Sequence, residues 1–65
     1  MFTIKCRTLK AVHESMDNVK QYMKSHNMRL IMLDYQLNTS GQIEIYTVNP
    51  AHADILKEVW ENLKA

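Results

Sequence analysis

Glycine, proline and cysteine each occur once in the 65 residues, and each scarcity removes a class of protein. A lone cysteine, Cys6, cannot form an internal disulfide and cannot supply the paired thiolates of the usual zinc frameworks. The chain therefore needs no oxidising compartment. A lone glycine, Gly41, excludes the glycine-rich loops that cradle phosphates. No apolar run approaches the ~20 residues needed to span a bilayer. The opening M-F-T-I-K-C-R is interrupted by charge at Lys5 and Arg7 and leads into no apolar stretch, so it does not read as a secretory signal. These absences set the expectation of a cytoplasmic protein. Internal repeats and low-complexity tracts are also missing.

Groups for chemistry are equally sparse. The three histidines, His13, His26 and His52, have no second histidine at a spacing that would share a helical face, so surface or capping roles are expected of them. Asp34 and Glu44 stand alone on their segments; Asp34 is placed to approach Lys5 or Arg7 across strands as an ordinary ion pair. No serine occupies a nucleophile elbow, and Cys6 has no evident base beside it in the sequence, so it reads as a small core residue. The expectation is a protein that is not an enzyme and carries no cofactor and no metal.

What is present describes one small domain over residues 1–65. Hydrophobic residues make up 46% and charged residues 23% of the chain, a composition too apolar for disorder. So short a chain is marginal, because burial of one small core barely exceeds the entropy lost on folding. The net charge is +1, but it is unevenly spread. Residues 1–29 carry six Lys and Arg against two Asp and Glu, a net +4, whereas residues 30–65 carry two against five, a net −3.

The segment Met28–Val48 organises the rest. It reads M-R-L-I-M-L-D-Y-Q-L, then N-T-S-G, then Q-I-E-I-Y-T-V, two β-rich runs around a short polar loop that holds Gly41: a hairpin signal. Ile31, Leu33, Tyr35 and Leu37 alternate onto one face of the first run, and Ile43, Ile45 and Thr47 onto one face of the second. Leu30 and Met32 make the first run apolar on both faces, which suggests a central strand or a covered outer face; whether the first strand of the chain pairs with the second or the third stays open, with a mild preference for the second as central. Upstream, Phe2, Ile4 and Cys6 alternate with Thr3, Lys5 and Arg7, the pattern of a half-buried strand. Between them, Val12, Met16, Val19 and Met23 fall on one stripe of a helix over Lys10–Asn27. Thr8 or Ser15 could cap its start, and Asn27 suits a left-handed stop. After the hairpin, Asn49 and Pro50 are an N-cap and a first-turn residue. They open a helix whose buried stripe is Ile55, Leu56, Val59, Trp60 and Leu63.

The predicted order is βαββα. Two amphipathic helices and a sheet with one strongly apolar face combine as a two-layer α+β sandwich, a three-stranded mixed sheet with both helices packed on one face. The strand–helix–strand crossover makes the first two strands parallel. Two surfaces then stand out as protein-binding candidates. Asp54, Glu58 and Glu61 form an acidic ridge on the last helix. Leu30, Met32, Tyr46 and Val48, with Lys5 and Arg7 at the rim, form an apolar patch on the outer sheet face. The alternative is a small nucleic-acid-binding regulator using Lys5, Arg7 and Arg29, with Tyr46 as a stacking platform. Homodimerisation through the outer sheet face or an edge strand is a third reading, one that would support a marginal core.

Ile55-Leu56-Lys57-Glu58-Val59-Trp60-Glu61, preceded by a strand and a polar turn, resembles the C-terminal helix of DinI-like damage-inducible proteins, and the βαββα order is similar. The resemblance implies a small cytosolic regulator of the kind common in enteric bacteria and their phages. It implies a phage or mobile-element accessory protein that modulates a host protein, with the RecA filament as target. It also implies that Asp54, Glu58 and Glu61 are the contact positions.

Overall fold

Thr8 decides where the first helix begins. Its backbone is extended and its hydroxyl accepts the Ala11 N–H at 3.1 Å, satisfying one of the donors that a helix start leaves free. In the computed structural model, which describes residues 1–65, the elements run β1 (Ile4–Cys6), α1 (Leu9–Ser25), β2 (Leu33–Leu37), β3 (Ile43–Thr47), a 3₁₀ turn (Pro50–His52) and α2 (Ala53–Lys64). The expected βαββα order and α+β class hold. Because Thr8 provides the only side-chain cap at this end of α1, we expect Thr8→Ala to cost about 1 kcal/mol in urea denaturation.

α1 stops at Asn27, as its sequence suggests. Asn27 takes φ 54°, its N–H reaches the Lys24 carbonyl at 3.2 Å, and the Met28 N–H reaches the Met23 carbonyl at 2.8 Å. That pair of bonds is the Schellman arrangement, and it is closed by Met28 packing on the core that contains Met23. At the hairpin, Asn38 Oδ1 accepts from both Ser40 and Gln42 N–H at 2.9 Å. Gly41 supplies φ 81°, a conformation costly for any residue with a Cβ. Asn49 Oδ1 accepts the Ala51 N–H at 3.0 Å, so Asn49 and Pro50 do start a helical segment. Its first turn is 3₁₀, and the α-helix proper begins at Ala53.

The sheet order is β1-β3-β2, with both pairings antiparallel. Two expectations are corrected here. The sheet is not mixed: β1 and β2 do run in the same direction, but β3 lies between them, so no parallel neighbours exist. The first hairpin strand is not central either. β3 holds the centre because it pairs with β2 through the hairpin and with β1 on its other side. The strand extents also shrink. β3 is only five residues long before Asn49 and Pro50 end it, so β2 has partners only from Leu33 onward, plus one further rung where the Val48 N–H meets the Met32 carbonyl at 3.1 Å.

Both helices lie on one face. Ile4, Cys6 and Ile45 from the sheet meet Val12, Val19 and Met23 of α1, Leu56 and Val59 of α2, and Ile31 from the segment before β2. These nine buried residues are the core, with Phe2, Met16, Leu33, Ile43, Ile55 and Trp60 packed at its margin. Met16 and Trp60 are thus half-buried rather than central, and Leu63 is 36% exposed, outside the stripe expected of it.

Of two buried polar side-chain atoms without a partner, one lies in the sheet. Thr47 is 1% exposed on the inner face and its Oγ1 has no hydrogen-bond partner. A buried hydroxyl without a partner costs about 1–3 kcal/mol relative to an apolar group of the same shape. Thr47→Val keeps the shape and the strand preference, so we expect it to raise stability by about 1 kcal/mol in the same measurement.

Candidate functional site

α2 turns a charged surface outward because of where its apolar residues fall. Ala53, Leu56 and Val59 are buried. At about 100° per residue, Asp54, Glu58 and Glu61 cluster within about 60° of one another on the opposite side. All three are exposed. They span about 10 Å along the axis at 1.5 Å per residue. Lys57 and Lys64 fall on a flank rather than within this ridge, and Lys64 Nζ lies 5.5 Å from the centre of the Trp60 ring. Ridge carboxylates make no side-chain hydrogen bond within the chain; those that do are Glu44 and Asp34. Asp54, at the helix N-terminus, also suits the helix dipole.

The outer sheet face is uncovered by either helix. Its rows are set by register: Lys5 faces Glu44, Glu44 faces Gln36, and Tyr46 faces Asp34. Thr3 Oγ1 donates to Glu44 Oε2 at 3.0 Å. Asp34 is therefore not across from Lys5 or Arg7; β3 separates them, and its Oδ1 instead accepts the N–H of the next residue, Tyr35, at 2.7 Å. At one end of this face, Met32 and Val48 are joined by a backbone hydrogen bond and are 72% and 52% exposed, and Leu30, just upstream, is 49% exposed. Tyr46 is half-buried. Leu30, Met32 and Val48 are thus exposed at the Val48 end, whereas Tyr46 is half-buried and Arg7, expected at the rim, lies at the hairpin end.

The basic residues are not gathered. Arg7 follows Cys6, which pairs with Ile43 at the hairpin end of the sheet, while Arg29 precedes Met32 at the Val48 end. Lys5 lies between them with Glu44 opposite. Tyr46, proposed as a stacking platform, has Asp34 directly across from it.

The remaining candidates for chemistry are dispersed. Cys6 is buried with its Sγ 3.9 Å from Ser15 Oγ. His26 holds the end of α1: its Nδ1 lies 2.9 Å from the Tyr22 carbonyl and its ring stacks on Tyr22 at 4.0 Å. Asn62 of α2 donates to the Tyr22 hydroxyl at 3.1 Å, tying the two helices together there. His13 meets the Tyr35 ring edge-on at 6.1 Å. His52, in the 3₁₀ turn, is half-buried with Nδ1 unpartnered. No cavity is enclosed, no three His, Cys, Asp or Glu side chains gather as metal ligands would, and no helix is long and apolar enough to cross a membrane.

What the sequence reading missed is the state of the β2 edge. The Asp34–Tyr35 bond depends on β2 lying at the border of the sheet, and the expectation of a central strand hid it. Comparison with known protein families, with characterised proteins and with solved structures finds no match for this chain.

Proposed function

We propose that this chain is a small, non-enzymatic protein-interaction module that regulates a partner protein through the acidic ridge Asp54, Glu58 and Glu61. The observation that carries the reading is the placement of the ridge opposite the buried side of α2, with the helix's lysines kept to a flank. A helix so divided presents like charges on a rigid support at no cost to its own packing. Three carboxylates in about 10 Å are matched by a basic groove or strip on a partner and steer the encounter electrostatically. The exposed residues Leu30 and Met32, with Tyr46, supply an apolar contact for the same or a second partner. The resemblance of Ile55–Glu61 to the last helix of DinI-like proteins supports a cytoplasmic regulator of phage or mobile-element origin, with a RecA-type filament as the target class.

Nucleic-acid binding is the weaker reading. Phosphate contacts need cations clear of carboxylates, whereas Lys5 has Glu44 opposite, Tyr46 has Asp34 opposite, and Arg7 and Arg29 lie at opposite ends of the sheet. The two readings separate in one experiment. Tagged protein is used to capture partners from an enteric bacterial lysate with and without nuclease, and bound proteins are identified by mass spectrometry. A discrete protein retained after nuclease is the expected result. Recovery that collapses with nuclease would overturn the protein-interaction reading in favour of Lys5, Arg7 and Arg29.

A further inference from the structure

The free edge of β2 has backbone groups with nowhere to go. Val48 donates to the Met32 carbonyl at 3.1 Å and Asn38 to the Gln42 carbonyl at 2.8 Å. Hydrogen-bonded pairs alternate along an antiparallel ladder. The even-numbered residues of β2 therefore turn their backbone groups toward β3, and Leu33, Tyr35 and Leu37 turn theirs out of the sheet. One of the three outward N–H groups is taken, by Asp34 Oδ1 on Tyr35. The N–H groups of Leu33 and Leu37 are unpaired. The side chains of the same three residues carry the inner face of the sheet past the core: Tyr35 is 38% and Leu37 71% exposed. α1 reaches this strand at His13, beside Tyr35.

The strand reads Leu33-Asp34-Tyr35-Gln36-Leu37, which is symmetric in chemical type about Tyr35. If a two-fold axis passes through Tyr35, a second copy of β2 lies antiparallel to the first. Tyr35 then faces Tyr35, and Leu33 faces Leu37. These are the residues whose backbone groups point outward, so each facing pair can exchange two hydrogen bonds. On the inner face, Leu meets Leu and Tyr meets Tyr. On the outer face, each Asp34 carboxylate meets a Gln36 amide. Neighbouring registers are worse. An axis through Asp34 sets two carboxylates directly opposite, which is destabilising. An axis through Gln36 leaves Leu33 facing the loop residue Thr39.

We propose that the β2 edge is a self-association surface, on which two copies of this chain pair Leu33–Leu37 antiparallel about Tyr35 into a continuous six-stranded sheet. The occupant is a second copy because in one register the edge complements itself in hydrogen bonding and side-chain type and sets no like charges opposite each other. The proposal does not rest on the acidic ridge. Asp34 restrains the association: its carboxylate must release the Tyr35 N–H before the Tyr35 pair can form. Charged residues commonly protect exposed edges in this way. One short strand also buries less than the ~1,200 Å² of a standard interface, so the dimer is transient and concentration-dependent.

Sedimentation equilibrium of the full chain tests this. From about 10 µM to about 1 mM, the range expected for a small interface, the mass should rise from one chain toward two. Asp34→Ala frees the Tyr35 N–H and should tighten the dimer about tenfold. Leu37→Lys should abolish it, and because Leu37 is 71% exposed in the single chain the variant keeps its circular dichroism and melting curve. Amide exchange provides the register: the Leu33 and Leu37 N–H groups should become protected only at high concentration, while Asp34 and Gln36 are protected throughout. A chain that remains monomeric across this range both as wild type and as Asp34→Ala overturns the proposal. So does a dimer that survives Leu37→Lys; if Met32→Asp then disperses it, the outer sheet face is the interface instead.

Discussion

Ile45→Ala should lower stability by about 3–4 kcal/mol, in the range for large-to-small changes at fully buried aliphatic positions. Ile45 is 0% exposed and lies at the middle of the central strand, with Ile4 across from it on one side and Tyr35 on the other. It meets both helices through the shared core, so no single element can move to fill the space its truncation leaves. At roughly 0.05–0.15 kcal/mol per residue, a chain of 65 residues has only about 3–10 kcal/mol of stability in total. The loss is therefore a large fraction of what holds the fold, and the melting temperature should fall by roughly 20–30 °C. Leu37→Ala is the control. That side chain is as apolar but 71% exposed, and the change should stay within about 0.5 kcal/mol. Urea denaturation and thermal melting of the two variants side by side decide the matter. An Ile45→Ala cost below about 1 kcal/mol would mean that the core is not organised around β3.

Glu58→Lys combined with Glu61→Lys should reduce affinity for the captured partner by about 100-fold or more, because two favourable pairings become like-charge contacts that cost several kcal/mol together. Both residues are exposed and lie on the side of α2 away from Leu56 and Val59, so the melting curve should not change. Reversal has more effect than neutralisation here, since exposed pairs by themselves contribute little and repulsion provides the discrimination. Binding measured at two salt concentrations adds a second readout. Wild-type affinity should fall with added salt, while the reversed variant should gain from it. Unchanged affinity in the double variant would remove the ridge from the interface and leave Leu30, Met32 and Tyr46 as the contact. Lys5→Ala with Arg7→Ala should leave protein binding intact.

Much of this follows from local chemistry. Asn27 at the end of α1, Asn38 and Gly41 in the hairpin, and Asn49 before Pro50 each satisfy a backbone need within a few residues of themselves. That is why these boundaries are legible without the fold. The buried sides of the helices are legible too, because Val12, Val19 and Met23, and Leu56 and Val59, recur at a period that only a helix brings to one face. The acidic ridge follows from the same periodicity. Thr8 and Ser15 were equivalent as caps in the sequence; Thr8 caps α1, while Ser15 lies inside the helix near Cys6.

Strand order was not legible in this way. Leu30 and Met32 made the first hairpin strand look doubly covered, yet they are 49% and 72% exposed, and the strand lies at the border of the sheet. Alternation along a strand reports which face each side chain takes; it carries no information about which neighbour lies alongside. Likewise, the spread of Arg7 and Arg29 to opposite ends of the sheet, and the meeting of Lys5 with Glu44, depend on register between segments about 40 residues apart. By itself the sequence determined the elements, their order, the stop at Asn27, the Asn49–Pro50 start and the charged side of α2, because those depend on contacts a turn or two away; which of Thr8 and Ser15 caps α1 was left to the structure. Only the tertiary structure decided that β3 is central, that β2 has a free edge, and which charges face each other across the sheet. Those depend on long-range pairing, where many arrangements satisfy the same local pattern and joint burial of one small core selects among them.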